Sequence, residues 1–297
     1  MKKRWKLISL LLVCASLAGC GQNNQNAVST ESASQATNEV SSSGEAEDNE
    51  ESAYFDEKAI KAIAEGLERR WNLIEQEQGG SASQSYTIEI SAIEPAYSAY
   101  INAELGVLNK YDFEKESFKD TELQNKVIKY VDGLNKGKES LKLATADFLD
   151  FELEYNSIYV DRIDLLNDFH TNYGMETEDK FKHYFDEMSI QREDTVNKLE
   201  KYKKLKEIVN KIEFEIDDTK YDGYYYNYEA YIDNDSDFTI SSLVLKVTLL
   251  DDNGVNINTY YPSIDELASH EKGKLTDFSD EGCYKNWRIQ VNSFSLN

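Results

Sequence analysis

The sequence predicts an α+β chain in two domains, an antiparallel helical bundle over residues 54–211 followed by a small antiparallel β-sandwich over 212–297. Three observations predict it. Up to about Asn210 apolar residues recur every three or four positions, the period of a helix with one buried stripe. Past Lys211 the period becomes two, as in strands with one buried face. With 297 residues, two prolines and 40% hydrophobic side chains, the chain can bury the core of one or two domains of about 100–200 residues each.

In the bundle, Ile60, Ile63, Ala64, Leu67, Trp71 and Ile74 form the first stripe, and Gly79-Gly80-Ser81-Ala82-Ser83 breaks it. A second helix carries Tyr97, Ile101, Leu105 and Leu108. Its start is open, because Pro95 suits only a first turn and 88–93 reads equally as helix or extended chain. Asp120 is placed to cap a third element running through Leu123, Val127, Leu134, Leu141, Phe148 and Tyr155 to a C-cap at Gly174. That element is too long for one ordinary helix, and a bend is expected near 150–160. A last helix over about 178–211 carries Phe181, Met188, Leu199, Leu205 and Val209.

In the sandwich, Tyr224, Tyr226, Tyr228 and Ala230 alternate with Tyr225, Asn227, Glu229 and Tyr231. A hairpin between 224–232 and 239–250 is expected, joined by an Asx-type turn at 233–237. Asp251-Asp252-Asn253-Gly254 reads as the next hairpin turn, and Trp287 to Leu296 as the closing strand.

The residues before 54 read as an address. Lys2, Lys3, Arg4 and Lys6 precede an apolar run from Leu7 to Leu17, about eleven residues where a bilayer span needs about 20. The run ends in Leu17-Ala18-Gly19-Cys20, which resembles a bacterial lipobox. The resemblance implies a signal peptide over 1–19, cleaved before a Cys20 that carries diacylglycerol. It also implies localisation at the cell membrane on its extracytoplasmic face. The competing reading is an ordinary signal in which Cys20 is incidental. From Gly21 to Ala53 the chain is Gln, Asn, Ser, Ala and Glu with no basic or aromatic residue, the composition of a disordered tether. As flexible coil it would span roughly 30 Å.

A second resemblance falls in the sandwich. Tyr228-Glu229-Ala230-Tyr231-Ile232-Asp233-Asn234-Asp235-Ser236-Asp237, then Ile240 to Asp251, then Asn253-Gly254, is similar to the FxLYD-type domain of bacterial envelope lipoproteins. The naming motif falls on Val247-Thr248-Leu249-Leu250-Asp251, where Leu249 and Asp251 match while Val247 replaces Phe and Leu250 replaces Tyr. It implies an immunoglobulin-like fold and brings no catalytic residues.

Charge excludes some functions. Lys and Arg total 32 against 56 Asp and Glu, a net of −24, and signal cleavage would leave 28 against 56. Such a field repels phosphate, so nucleic acid is excluded as a partner. Cleavage would also remove Cys14, and lipidation would occupy Cys20, leaving Cys283 as one thiol with no partner. A buried or partly buried structural role is expected for it rather than that of a nucleophile.

No nucleophile-elbow, zincin, Walker or dinucleotide motif is present. The histidines are His170, His183 and His270. His183 and Glu187, one helical turn apart, could ligate a metal or simply sit on a solvated face. Asp233 to Asp237 begins like a calcium loop, but Phe238 and Val244 stand where Gly and Glu belong. The remaining cofactor candidate is a structural calcium held by Asp217, Asp218, Asp222, Asp251 and Asp252, expected at one end of the sandwich; a solvated acidic rim is the other reading. The sandwich holds 17 acidic residues against six basic ones, a repulsion that a cation would relieve. Tyrosines 221, 224, 225, 226, 228 and 231 could stack on sugar rings or serve as strand formers. The function expected is a non-catalytic, membrane-anchored extracytoplasmic binding or scaffolding module whose partner is an envelope protein or glycan. A hydrolase of envelope polymer using carboxylates is the alternative.

Overall fold

A computed structural model describes residues 54–77 and 89–297. Among the described residues six α-helices precede eight strands, giving the α+β layout the sequence predicts. The signal, Cys20, the tether and the Gly79–Ser83 break lie outside the described residues.

The bundle comprises α1 (Asp56–Glu77), α2 (Ile90–Leu108), α3 (Thr121–Ser140), the short α4 (Leu143–Ala146), α5 (Phe148–Tyr173) and α6 (Lys182–Val209). Helix α2 starts at Ile90 and carries Pro95 past its first turn. Pro95 has no N–H to give the Ser91 carbonyl, and the buried face made by Ile93, Tyr97, Tyr100 and Ile101 offsets that loss. Asp120 caps α3, its carboxylate accepting from the Glu122 and Leu123 amides at 2.8 and 3.1 Å. Gly174 ends α5 in the left-handed conformation.

The expected bend at 150–160 falls earlier. The chain breaks between Ser140 and Phe148, where the Ser140 hydroxyl bonds back to the Gly137 carbonyl and Asp147 caps the new helix through the Asp150 amide. Residues 150–160 lie inside the single helix α5, whose first turn buries Phe148, Leu149 and Phe151.

The helices meet at a buried ionic cluster. Glu104 on α2, fully buried, accepts from Arg70 of α1 at 2.8 Å, Arg162 of α5 at 2.7 Å and the Tyr130 hydroxyl of α3. Burial alone would push the Glu104 carboxyl up, but the Arg162 and Arg70 charges and the Tyr130 hydroxyl hold it below its ordinary value. Gly66 makes the α1–α2 approach close: a Cβ there would lie 3.4 Å from the Glu104 carbonyl oxygen. Contacts run in opposite senses along neighbouring helices, Arg70–Glu104 with Glu77–Tyr100, Lys126–Asp168 with Lys129–Asp161, and Arg192–Asp164 with Lys206–Asp150, so α1 and α2, α3 and α5, and α5 and α6 are antiparallel.

The sandwich has two four-stranded antiparallel sheets. One is built on β2 (Tyr226–Asp233), with β1 (Phe214–Ile216) on one side and β6 (Lys272–Lys274) and β7 (Phe278–Asp280) on the other. The other is built on β3 (Ile240–Leu250), flanked by β8 (Asn286–Leu296) on one edge and by β4 (Asn256–Tyr260) and β5 (Ser263–Leu267) on the other. The turn at 251–254 joins β3 to β4 as expected, with Gly254 at φ 78° and the Asp251 carboxylate accepting from the Asn253 and Val255 amides.

The expected hairpin between 224–232 and 239–250 does not form: β2 and β3 lie in different sheets. The 233–239 segment crosses between them because Asn234, fully buried, ties it to the opposite corner. Its amide donates to the carbonyls of Phe238, Leu267 and Ala268 at 2.8, 3.2 and 2.9 Å. A stack of Tyr228, Phe278 and Tyr260 spans the two sheets, and the Tyr260 hydroxyl bonds Asp280 at 2.7 Å. Cys283, expected to be buried or partly buried, is exposed, since the 281–285 segment runs outside the last strand.

Bundle and sandwich share one continuous core. Phe294 of β8 packs against Phe148 of α5 and Tyr202 of α6, while Asp235 pairs with Lys204 and Lys211. Glu104→Gln leaves two guanidiniums facing one neutral amide in a buried site. A loss of about 3–5 kcal/mol in urea denaturation is expected, and a loss under about 1 kcal/mol would show that the cluster behaves as a surface pair.

Candidate functional site

The most exposed aromatic residue among those described, Tyr224, sits on the loop between β1 and β2 together with Tyr221 and Tyr225. The chain leaves β1 at Ile216, makes a 3-10 turn over Asp218–Lys220, and enters β2 at Tyr226. Local hydrogen bonds fix its path. Asp217 accepts from the Thr219 amide and hydroxyl and pairs with Lys220 at 2.9 Å, and these contacts hold its carboxyl down at about 2. Asp222 accepts from the Tyr224 and Tyr225 amides, both at 2.9 Å, across Gly223 at φ 96°. Asn227 on β2 closes the loop by donating to the Lys220 carbonyl at 2.9 Å.

This path divides the six tyrosines. Tyr228 is in the core, its hydroxyl donating to the Gly282 carbonyl and accepting from the Tyr284 amide. Tyr226 is half-buried and stacks on Tyr221 at 4.6 Å. Tyr221, Tyr225 and Tyr231 stand about half exposed and Tyr224 is 77% exposed. Beside them on the outer face, Glu229 pairs with Lys220 and Lys274, and Lys274 pairs with Asp277. The result is a rim of rigid amphipathic rings next to a charged platform. Tyrosines in such a setting supply large contact area at low entropic cost together with a hydroxyl for hydrogen bonding.

Among the described residues, the carboxylates expected to hold calcium form no group that could hold a metal ion. Asp217 and Asp222 are committed to the tyrosine loop, and Asp251 closes its own hairpin turn. Asp251 and Asp252 instead line a shallow groove of about 670 Å³ with Glu213, Glu215, Lys285 and Trp287. Asp218 lies in the 3-10 turn, its side chain outside the described part. Among the described residues no group of three or more His, Cys, Asp or Glu is placed to hold a metal ion. The physical reason is that each Asx turn spends its carboxylate on neighbouring amides, so the acids face their own loops.

The histidines are also dispersed. His170 lies 2.7 Å from the Met175 carbonyl and stacks on Phe185; His183 lies beside Tyr184 on α6; His270, in the sandwich, is 3.2 Å from Asp237. One carboxyl has the proton affinity of a general acid: burial lifts Glu152 to about 7 against the lowering effect of Asn156, Tyr202 and Lys198. It is 2% exposed and closed off from solvent.

Sequence reasoning missed the charged residues of the core. Their signal was present: Arg70 and Glu104 both fall on apolar stripes, Arg70 beside Leu67 and Trp71, Glu104 between Ile101 and Leu108. No family model, curated protein or solved structure matches the chain. Among the described residues no helix is long and apolar enough to cross a membrane.

Glu152 carries a proton in the folded state that the unfolded chain, with an ordinary carboxyl near 4.5, has released. Its contribution is therefore intact below about pH 4.5 and is lost as pH rises toward 7. The loss approaches about 3 kcal/mol above that. Glu152→Gln is expected to remove this fall, so the stability gap between wild type and variant should change by that amount between pH 4.5 and 8 in urea titrations. A gap independent of pH would refute the assignment.

Proposed function

We propose that the protein is a membrane-anchored extracytoplasmic lipoprotein that acts as a non-catalytic binding or scaffolding module, with a C-terminal domain of the FxLYD type. In this reading Cys20 carries the lipid, residues 21–53 form the tether, and the folded part presents its tyrosine rim to an envelope protein or glycan. The observation that carries it is the loop of Tyr221, Tyr224 and Tyr225. Large rings are held out in solvent by a loop whose hydrogen bonds are satisfied internally, so the exposure is built and costs the fold little. The acidic chain, −24 over 297 residues, favours a partner that is not polyanionic. Two acyl chains on Cys20 would anchor stably where one binds only marginally.

Labelled palmitate is expected to enter the wild type and not Cys20→Ala; equal incorporation in both removes the anchor. A photo-crosslinker replacing Tyr224 in the full chain, in its native cells, is expected to trap an envelope protein or glycan. The same reagent at Ile190 on α6, 65% exposed, is expected to trap none. Identical adducts at the two positions, or none at 224, would sink the tyrosine rim as the binding surface.

A further inference from the structure

We propose that the open edge of β1, with the groove beside it, receives an extended segment of a partner protein in which apolar and basic residues alternate, added to the sheet as a further strand. Strand β1 is the terminal strand of its sheet and pairs only with β2. The groove, about 670 Å³, is lined by Glu213, Phe214 and Glu215 at β1, by Asp251 and Asp252 of the turn after β3, and by Trp287 of β8. No tyrosine of the rim lines it, so the two surfaces are tested separately.

The backbone of β1 is placed to pair again. Just past it, the Asp217 amide donates to the Asn227 carbonyl at 2.9 Å. In an antiparallel ladder alternate residues turn their amides and carbonyls to the same side. Glu215 therefore bonds β2 opposite Glu229, while Phe214 and Ile216 turn their backbone groups to the open edge. Among the described residues these groups meet no partner outside the strand pair. The edge is reached from outside: Glu215 is exposed, Ile216 is half-buried, and the groove touches Phe214. A chain laid along it gains main-chain hydrogen bonds, and its alternate side chains supply the selectivity.

The side chains choose the class of segment. Phe214 turns its ring inward against Trp287 at 6.0 Å and Phe278 at 5.3 Å. An added residue opposite Phe214 or Ile216 points the same way, toward this aromatic floor, and is apolar. An added residue opposite Glu215 points to the outer face with it, where an opposite charge pairs across the strands. Among the described residues Glu213, Glu215 and Asp252 form no ion pair or hydrogen bond, and Lys285 is the one cation lining the groove against four carboxylates. That surplus draws a basic segment, and Trp287 offers a ring face to its cations. The chain's own segments fit less well. A second copy carries the same net charge of −24, and residues 21–53 contain no basic residue.

The test uses the full chain and, as probe, an end-blocked octapeptide alternating valine and lysine, with binding followed by calorimetry and the β1 amides by hydrogen exchange. Comparison peptides alternate glycine and lysine, alternate valine and glutamate, or keep the probe's sequence with every amide N-methylated. The probe is expected to bind saturably and to slow exchange of the Phe214 and Ile216 amides at least tenfold, each comparison peptide binding at least tenfold more weakly. Glu213→Gln combined with Glu215→Gln is expected to weaken the probe at least tenfold. Asp265→Asn combined with Glu266→Gln makes the same charge change at exposed positions of β5 and is expected to leave binding within twofold. The proposal is overturned if the probe gives no saturable response, which leaves the two glutamates as a guard of the edge against pairing. It is equally overturned if any comparison peptide binds as tightly, if the β1 amides exchange unchanged in the complex, or if the two double variants affect the probe alike.

Discussion

The bundle is organised around one carboxylate. Glu104 sits where α1, α2, α3 and α5 converge and takes a hydrogen bond from each of its three neighbours through Arg70, Tyr130 and Arg162. Burying an ion is expensive, and the cost is met only when geometry and partners are both right. That requirement selects one arrangement of four helices from the many in which apolar stripes could pack, because sliding α1, α2 or α5 by a turn strands a charge and sliding α3 removes the Tyr130 hydrogen bond. The close approach at Gly66 belongs to the same constraint: it brings α1 near enough to α2 for Arg70 to reach Glu104.

A second constraint joins bundle to sandwich. Phe294, near the end of β8, packs between Phe148 and Tyr202, so the last strand of the sheet is also a surface of the bundle core. Asp147 contributes twice there, capping α5 through the Asp150 amide and accepting from the Val291 amide at 3.4 Å. The break after Ser140, which places Asp147 at a helix start, is thus part of the interface. Asp235 adds an exposed ion pair to Lys204 and another to Lys211. Such pairs contribute little stability one by one and mainly fix orientation. The tyrosine loop joins the two strands β1 and β2, in the sheet opposite the one whose β8 meets the bundle.

The acidic residues show how local chemistry overrides charge counting. A net charge of −11 over the sandwich suggests a cation, yet Asp217, Asp222 and Asp251 are each bound to amides within four residues. An Asx turn offers a carboxylate its hydrogen bonds at once, without the closure of a long loop, and it forms wherever Asp precedes a turn. Repulsion is then reduced by lysines on the outer face, where Lys220 and Lys274 serve Glu229, Asp217 and Asp277.

By itself the sequence determined the change of period near 211, the caps at Asp120 and Gly174, the turn at Asp251–Gly254 and the alternation that buries Tyr228 and Ala230, though Tyr224 of the same set stands in solvent. All of these are set by residues within a few positions of one another, where spacing and side-chain chemistry act directly. Only the tertiary structure decided what depends on distant partners. Asn234 reads locally as a turn residue, but its amide bonds to Leu267 and Ala268 carry β3 into the other sheet and cancel the expected hairpin. Arg70 and Glu104 read as interruptions of apolar stripes; they became the centre of the bundle because three other helices supply the hydrogen bonds that make a buried charge tolerable. That the buried Nε of Arg162 is left without a hydrogen-bond partner is likewise decided only in the tertiary structure, since it follows from the partners around one guanidinium after all four helices have closed.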